Sequence, residues 1–144
     1  EAAEIVFNSE VPIRMIGLDV TLNCVMSEKD VNKLKKSKKP LPELLGKLIE
    51  LWQHRNPFTG RPYMPTLHDP LAAMTLNHDD IVKFKPFNIS IETEGKHGRA
   101  MTCISGASYY KGWRTEPHEK TNAVVAVEVN TQKVLKTYID TNLG

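Results

Sequence analysis

The amino-acid sequence predicts an α/β fold with three layers, because helical and extended patterns alternate along the chain. Apolar residues recur at helical spacing over residues 41–54, whereas from Phe87 they alternate with polar residues at the period of a strand. A continuous apolar run over residues 11–18 is typical of a buried strand. Because the segment that begins at Phe87 is followed by a turn and a second strand pattern, part of the sheet should be antiparallel.

The composition is that of one globular domain or a part of one. Of the 144 residues, 40% are hydrophobic and 25% are charged, which is ordinary for a soluble protein. The net charge of +2 is too small to favour nucleic acid as the main partner. The sequence has no membrane-length apolar run and no secretory signal, and Cys24 and Cys103 lie in separate apolar segments as expected for reduced thiols. We therefore expect a cytoplasmic protein with no membrane and no nucleic-acid partner.

The first residues have the pattern of a helix that is already under way. Ala2, Ile5 and Val6 share one helical face, and no capping residue precedes them. We therefore expect the chain to be a fragment of a longer protein. The strand over residues 11–18 is predicted to leave the sheet through residues 19–21, which would place Asp19 in a structural role at a strand end.

Two helices are predicted in the next part of the chain. The first begins with the capping-box pattern of residues 27–30 and ends in a lysine-rich segment that we interpret as a solvated helix end. A basic nucleic-acid-binding surface over residues 33–39 is the alternative for that segment. The second helix covers residues 41–54 and is predicted to pack into the core through one apolar stripe. The stripe consists of Leu41, Leu44, Leu45, Leu48, Ile49 and Trp52.

The triplet of residues 68–70, His-Asp-Pro, is the strongest candidate for chemistry. Asp69 is predicted to be a helix N-cap, Pro70 the first helical residue, and His68 the last extended residue before it. An imidazole can transfer a proton near neutral pH, and a carboxylate can bind a hard cation. Small residues at positions 72 and 73 should let this helix pack closely against a sheet, which would hold the triplet over the strand ends.

A long loop over residues 55–67 leads to the triplet, and loops of that length are often functional. Phe58 and Tyr63 place aromatic rings in this loop. The other four histidines are predicted to be surface residues at helix ends, in turns or in loops, and their spacing does not suggest a zinc site. They are His54, His78, His97 and His118.

The last part of the sequence predicts a hairpin, a strand and a helix. The hairpin turns at residues 95–98 and continues as a strand over residues 100–104. Residues 124–129 form the next strand, and Asn130 or Thr131 caps the final helix. The apolar positions of that helix are Val134, Leu135, Tyr138 and Ile139.

Taken together, these segments resemble the inosine-uridine-preferring nucleoside hydrolase family. The resemblance lies in residues 1–7, 12–21 and 68–72, which occur in the order of the family, and the strands at 89–93 and 124–129 are similar to its closing elements. It covers essentially the whole chain but only the C-terminal half of the family's length. The implied fold is the C-terminal part of a mostly parallel sheet with an antiparallel hairpin, and residues 1–144 would be a single partial domain.

The resemblance implies hydrolysis of the N-glycosidic bond of ribonucleosides, which yields ribose and a free base. Transferred by position, His68 would be the acid that assists the departing base, and Asp69 would be a ligand of a bound Ca²⁺ that activates water. Asp19 matches a family position that we interpret as structural. Phe58 and Tyr63 are candidates to border the base pocket. The family also implies a homo-oligomer.

The sequence lacks the N-terminal aspartate cluster on which the metal site of this family chiefly depends. Calcium requires about six to eight oxygen ligands, and Asp69 supplies one or two. We therefore expect the chain alone not to hold Ca²⁺ tightly and to be inactive without the missing N-terminal half. The alternative is a non-catalytic truncated homologue that acts as a structural or interaction module.

Overall fold

Six helices and four strands make up the regular structure of residues 1–53, 63–105 and 121–144, which are the residues that this computed structural model describes. The helices are α1 (Ala2–Phe7), α2 (Leu18–Thr21), α3 (Glu28–Lys35), α4 (Pro40–Gln53), α5 (His68–Met74) and α6 (Thr131–Leu143). The strands are β1 (Ile13–Met15), β2 (Val82–Ile91), β3 (Thr102–Ser105) and β4 (Ala123–Val129).

The four strands form one mixed sheet in the order β1-β4-β2-β3. Strand β1 runs parallel to β4, with Ile13 opposite Ala123. Strands β2 and β3 are antiparallel, with Ile89 opposite Ile104. The α/β class and the antiparallel hairpin that the sequence predicts are therefore confirmed.

Strand β1 covers only Ile13–Met15 of the predicted residues 11–18, and none of its residues is fully buried, so the prediction of a buried strand there is wrong in length and burial. The starts of β2 and β3 also differ from the prediction, and each has a local cause. Strand β2 begins at Val82, five residues before Phe87, and its inward-facing positions change parity around Pro86. Because the alternation is interrupted there, the sequence pattern shows only the second half of the strand. Strand β3 begins at Thr102 and not at residue 100, because Ala100 has a φ of 70°, which an extended strand does not allow.

The described residues divide into two compact units, the first of which contains residues 1–15 and 84–127. Its apolar core is formed by Ile89, Ala123 and Val125, and partly buried side chains from α1, β1 and β2 pack against them. The packed side chains are Phe7, Ile13, Met15, Phe87 and Ile91.

Asn122 connects three segments of this first unit through its side-chain amide. Its Nδ2 donates to the carbonyl oxygens of Phe7 at 2.9 Å and of Ile89 at 2.8 Å. Its Oδ1 accepts the backbone N–H of Ile89 at 2.8 Å. One half-buried amide therefore satisfies the backbone of β2 and the C-terminal residue of α1 at the same time.

The second unit contains residues 16–83 and 128–144, and helix α3 packs along α4 within it. The two backbones are so close that a Cβ on Gly46 would lie 2.6 Å from the backbone nitrogen of Lys35. A side chain at position 46 would therefore push the helices apart. Ser27 caps α3 in a capping box with Asp30, and the Asn130 side chain caps α6, as the sequence predicts.

The predicted core stripe of α4 is wrong for four of its six residues. The fully buried residues of α4 are Pro42 and Gly46, and in the stripe only Leu45 and Ile49, each three residues from one of these, are half-buried. Most of that stripe is exposed, together with Leu51, with exposed fractions of 50–70% for Leu41, Leu44, Leu48, Leu51 and Trp52. Helix α4 therefore has an apolar side that the described residues of the chain do not cover. The Trp52 ring is not a core residue but meets Tyr63 edge-on, with the ring centroids 4.6 Å apart.

Among the described residues, no helix has both the length and the apolar character needed to cross a membrane.

Substitution of Asn122 by alanine should destabilise the first unit by about 2–4 kcal/mol, because three backbone groups lose their partner. Urea denaturation would measure the change in the free energy of unfolding. Asn23→Ala is a matched control, since the amide of Asn23 bonds to the carbonyl of Asp19 at an exposed site and its loss should cost about 0.5 kcal/mol. Equal losses for the two variants would contradict the role assigned to Asn122.

Candidate functional site

His68 is the first helical residue of α5, and its helix begins two residues earlier than the sequence predicts. The N-cap is Leu67 and not Asp69, and its side chain makes no capping hydrogen bond. Leu67 is buried, and its carbonyl accepts the N–H of Leu71. Aspartate is a favoured N-cap residue, so Asp69 alone would place the helix start later. The helix starts earlier because Leu67 is buried and its carbonyl accepts the first helical hydrogen bond.

The backbone before His68 is paired with the segment that follows α2. Val25 and Thr66 form an antiparallel bridge. The N–H of Met26 donates to Pro65 O and the N–H of Leu67 donates to Cys24 O, both at 2.9 Å. The chain therefore enters α5 with its direction fixed by backbone hydrogen bonds on both sides of the bridge.

Thr21 contacts the His68 ring directly and was missed by the sequence analysis. Residues 18–21 form the helical turn α2, so the prediction of a strand end there is wrong, and Asp19 is exposed in the first turn of that helix. Thr21 is 3% exposed, and its Oγ1 lies 2.8 Å from Nδ1 of His68. A polar residue at the end of an apolar segment was the only signal for this contact in the sequence.

Helix α5 is held in place through α2, with which it makes contact, and through the buried side chain of Leu71. Ala72 and Ala73 are exposed, so the predicted close packing of these small residues against a sheet is wrong. A seven-residue helix has one narrow buried face, and Leu71 occupies it.

Asp69 is exposed in the first turn of α5. The described residues contain no group of three or more His, Cys, Asp or Glu side chains that could hold a metal ion. Since Ca²⁺ takes about six to eight oxygens, the donor set in this part of the chain does not by itself fit a calcium site. Asp69 is an accessible carboxylate, and the described residues do not supply the further ligands that such a site requires.

The other histidines named as candidates from the sequence do not lie beside His68 among the described residues. His97 is exposed in the hairpin turn, and His78 is half-buried in the turn after α5. In that same turn, a hydrogen bond from Lys133 lowers the pKa of Asp80, as expected for a carboxylate in an ion pair. His54, Phe58 and His118 lie outside the described residues.

Cys24 is fully buried beside this site, whereas Cys103 is only partly buried on β3, and both thiols are free. The sequence prediction of reduced thiols is therefore confirmed, although Cys103 is not a core residue. Burial raises the pKa of the Cys24 thiol, and a hydrogen bond with Thr131 opposes part of that effect.

The sheet and helices define a mixed α/β protein with the nucleoside hydrolase fold. A purine-preferring ribonucleoside hydrolase from Gardnerella vaginalis superposes on the whole chain with a TM-score of 0.81 at 24% identity, and the chain covers 43% of that protein. A plant nucleoside hydrolase gives a TM-score of 0.82 at 18% identity over the whole chain and 45% of its own length. At these identities the likeness shows the fold.

The chain belongs to the inosine-uridine preferring nucleoside hydrolase family, whose profile matches residues 1–136. A pyrimidine-specific ribonucleoside hydrolase from Photobacterium profundum is 35% identical over 106 residues, which are 72% of this chain and 34% of that protein. The corresponding enzyme from Citrobacter koseri is 31% identical over 137 residues, which are 92% of this chain and 40% of the relative. The chain therefore spans well under half the length of the relatives it matches.

The buried Cys24 thiol should make the stability of the protein fall at alkaline pH. In the unfolded chain the thiol ionises near its ordinary pKa of 9.0, whereas in the folded chain its pKa is higher. The free energy of unfolding that the buried neutral thiol contributes is therefore complete below pH 9.0, and it is lost as the pH rises through the pKa of the folded state. The difference in free energy of unfolding between the wild type and Cys24→Ala, measured by urea denaturation, should shrink above pH 9.0.

Cys103→Ala is the matched control for the loss of a thiol, because Cys103 is only partly buried. In the native protein a thiol reagent should modify Cys103 at least about tenfold faster than Cys24. Equal modification rates would show that Cys24 is accessible and would contradict its burial.

Proposed function

We propose that this chain is the C-terminal part of a ribonucleoside hydrolase that cleaves the N-glycosidic bond to give ribose and a free base. Membership of the family over residues 1–136 carries this proposal. The position of His68 supports it, since an anchored, half-buried imidazole at a helix start is suited to proton transfer. Residues 1–144 would then be one part of a single domain.

In this proposal His68 is the acid for the departing base. Cleavage of the N-glycosidic bond leaves the bonding electron pair on the base nitrogen, and the ribose develops oxocarbenium character. A proton delivered to the base neutralises the charge that builds up on it. Imidazole is the side chain whose ordinary pKa lies closest to neutral pH, so it can carry that proton under physiological conditions.

Asp69 is proposed to contribute carboxylate oxygen to a calcium ion in the longer enzyme. Its exposure leaves the carboxylate accessible to an ion and to ligands from another segment. Because the described residues do not complete a calcium site, the other ligands would have to come from segments that the relatives possess beyond the matched region.

The partners in this proposal are a ribonucleoside and the N-terminal portion of the fold. Tyr63 is partly exposed, and its ring meets the Trp52 ring edge-on. The exposed part of the Tyr63 ring is therefore available to border a base pocket. Phe58 has the same proposed role but lies outside the described residues. Homo-oligomerisation and a cytoplasmic location complete the proposal.

The test combines the chain with the N-terminal portion of the Photobacterium profundum relative and supplies inosine or uridine with Ca²⁺. The chain alone should be inactive, and the mixture should release free base. His68→Ala should lower kcat of the mixture by about 10²–10⁴-fold, the usual contribution of a general acid. His97→Ala should leave kcat unchanged, because His97 is an exposed turn residue. Association of the two parts without hydrolysis of either nucleoside would contradict the enzymatic proposal.

A second candidate function is a non-catalytic module that binds the complementary part of a nucleoside hydrolase fold. The exposed leucine side of α4 is the observation that favours it, since five large apolar side chains there are half or more exposed. The complementary part is the proposed occupant, because the chain spans only 34–45% of its relatives.

Leu48→Glu should weaken the association of the two parts by at least about tenfold, because it places a charge in the apolar contact. Lys47→Glu is the matched control, since Lys47 is an exposed α4 residue paired with Glu43. Analytical ultracentrifugation would measure the association. If Leu48→Glu instead removes a dimer of the chain itself, or leaves association intact, the proposed occupant of this surface is wrong.

A further inference from the structure

Thr21 and Thr75 are the two buried polar residues of the described chain, and their hydroxyls have different kinds of partner. The Thr75 hydroxyl donates to the carbonyl of Ala72, three residues earlier. Such a local bond satisfies a buried threonine within its own helix. The Thr21 hydroxyl instead meets His68, 47 positions later in the chain, at 2.8 Å.

The backbone around Thr21 is fixed by the same contacts that position His68. The N–H of Thr21 donates to Gly17 O at 3.1 Å, and its carbonyl accepts the N–H of Cys24 at 2.8 Å. Cys24 in turn accepts the N–H of Leu67, the residue before His68. The Cys24–Leu67 backbone bond and the Thr21–His68 side-chain bond therefore connect the same two segments of the chain. A rotation of the His68 ring would break the side-chain bond.

We propose that Thr21 is the positioning residue of His68: its Oγ1 accepts Nδ1–H of the imidazole, which leaves Nε2 as the nitrogen that transfers the proton. This inference rests on the acid role of His68 in the proposed function. The acid role requires a reactive form of the ring that carries a proton on both nitrogens. The Nε2 proton passes to the base nitrogen that receives the electron pair of the broken N-glycosidic bond, and the ring becomes neutral with Nδ1–H retained.

A hydroxyl acceptor at Nδ1 suits this cycle because its hydrogen bond is the same before and after proton transfer. The charged ring has a proton on each nitrogen, so Nδ1–H requires an acceptor. If Thr21 donated to a bare Nδ1 in the neutral ring, the bond would have to reverse whenever the ring gained its second proton. The second ring nitrogen of a catalytic histidine is commonly fixed in this way by its partner.

The tautomer of neutral His68 tests the inference on the chain itself, without any enzymatic activity. Two-bond ¹H–¹⁵N NMR correlations at a pH where imidazole is neutral should show the proton on Nδ1 in the wild type. Thr21→Val, which removes the hydroxyl and keeps the shape, should shift the ring to the Nε2–H form that an unanchored histidine prefers. Thr21→Ser should restore the wild-type tautomer.

Thr75→Val is the matched control: Thr75 is a buried threonine at the C-cap of α5, and its substitution should leave the His68 tautomer unchanged. A wild-type ring with the proton on Nε2 would overturn the inference whether or not Thr21→Val folds. An unchanged tautomer in Thr21→Val, or the same shift in Thr75→Val, would also overturn it.

In the complemented enzyme, Thr21→Val should lower kcat about tenfold or more with little change in KM. If the NMR result is as expected but no mixture hydrolyses nucleosides, the proposed function fails and the Thr21 anchor remains.

Discussion

The short pairing between residues 24–26 and 65–67 is the interaction on which the candidate site depends. Two backbone hydrogen bonds join these segments and form the Val25–Thr66 bridge: one from Met26 to Pro65 and one from Leu67 to Cys24. Because Cys24, Met26 and Leu67 are buried, loss of these bonds would leave polar backbone groups without partners. Because His68 directly follows this pairing, its backbone position is fixed before any side chain contributes.

Thr21 adds the side-chain part of the same constraint. Helix α2 is a single turn, and such a turn is stable only when neighbouring structure supports it. Here the support comes from buried Val20 and Thr21 and from the contact with α5. The His68 ring is thus held by a buried partner, whereas Asp69, one residue later, is exposed. The two neighbouring side chains therefore differ in how far the described structure constrains them.

Helix α4 has an apolar side that is exposed among the described residues. Its opposite side packs so closely against α3 that Gly46 leaves no space for a side chain. The exposed residues of α4 are largely apolar, so this helix has more hydrophobic surface than its contacts with α3 and α6 bury. Such a surface is stabilised when further apolar groups cover it, and the relatives contain more than twice the length of chain that is matched here.

The sequence by itself determined the features that depend on neighbouring residues: the capping box at Ser27, the Asn130 cap, the hairpin between β2 and β3, and the α/β class. Each rests on hydrogen bonds or periodicity within a few residues, so the local pattern contains the information. The His-Asp pair and its family were also identified from sequence. Tertiary structure alone decided the partner of His68, the start of α5 at His68 and which side of α4 is buried. These features depend on which distant segments meet, and a hydroxyl 47 positions from an imidazole leaves no periodic trace in the sequence.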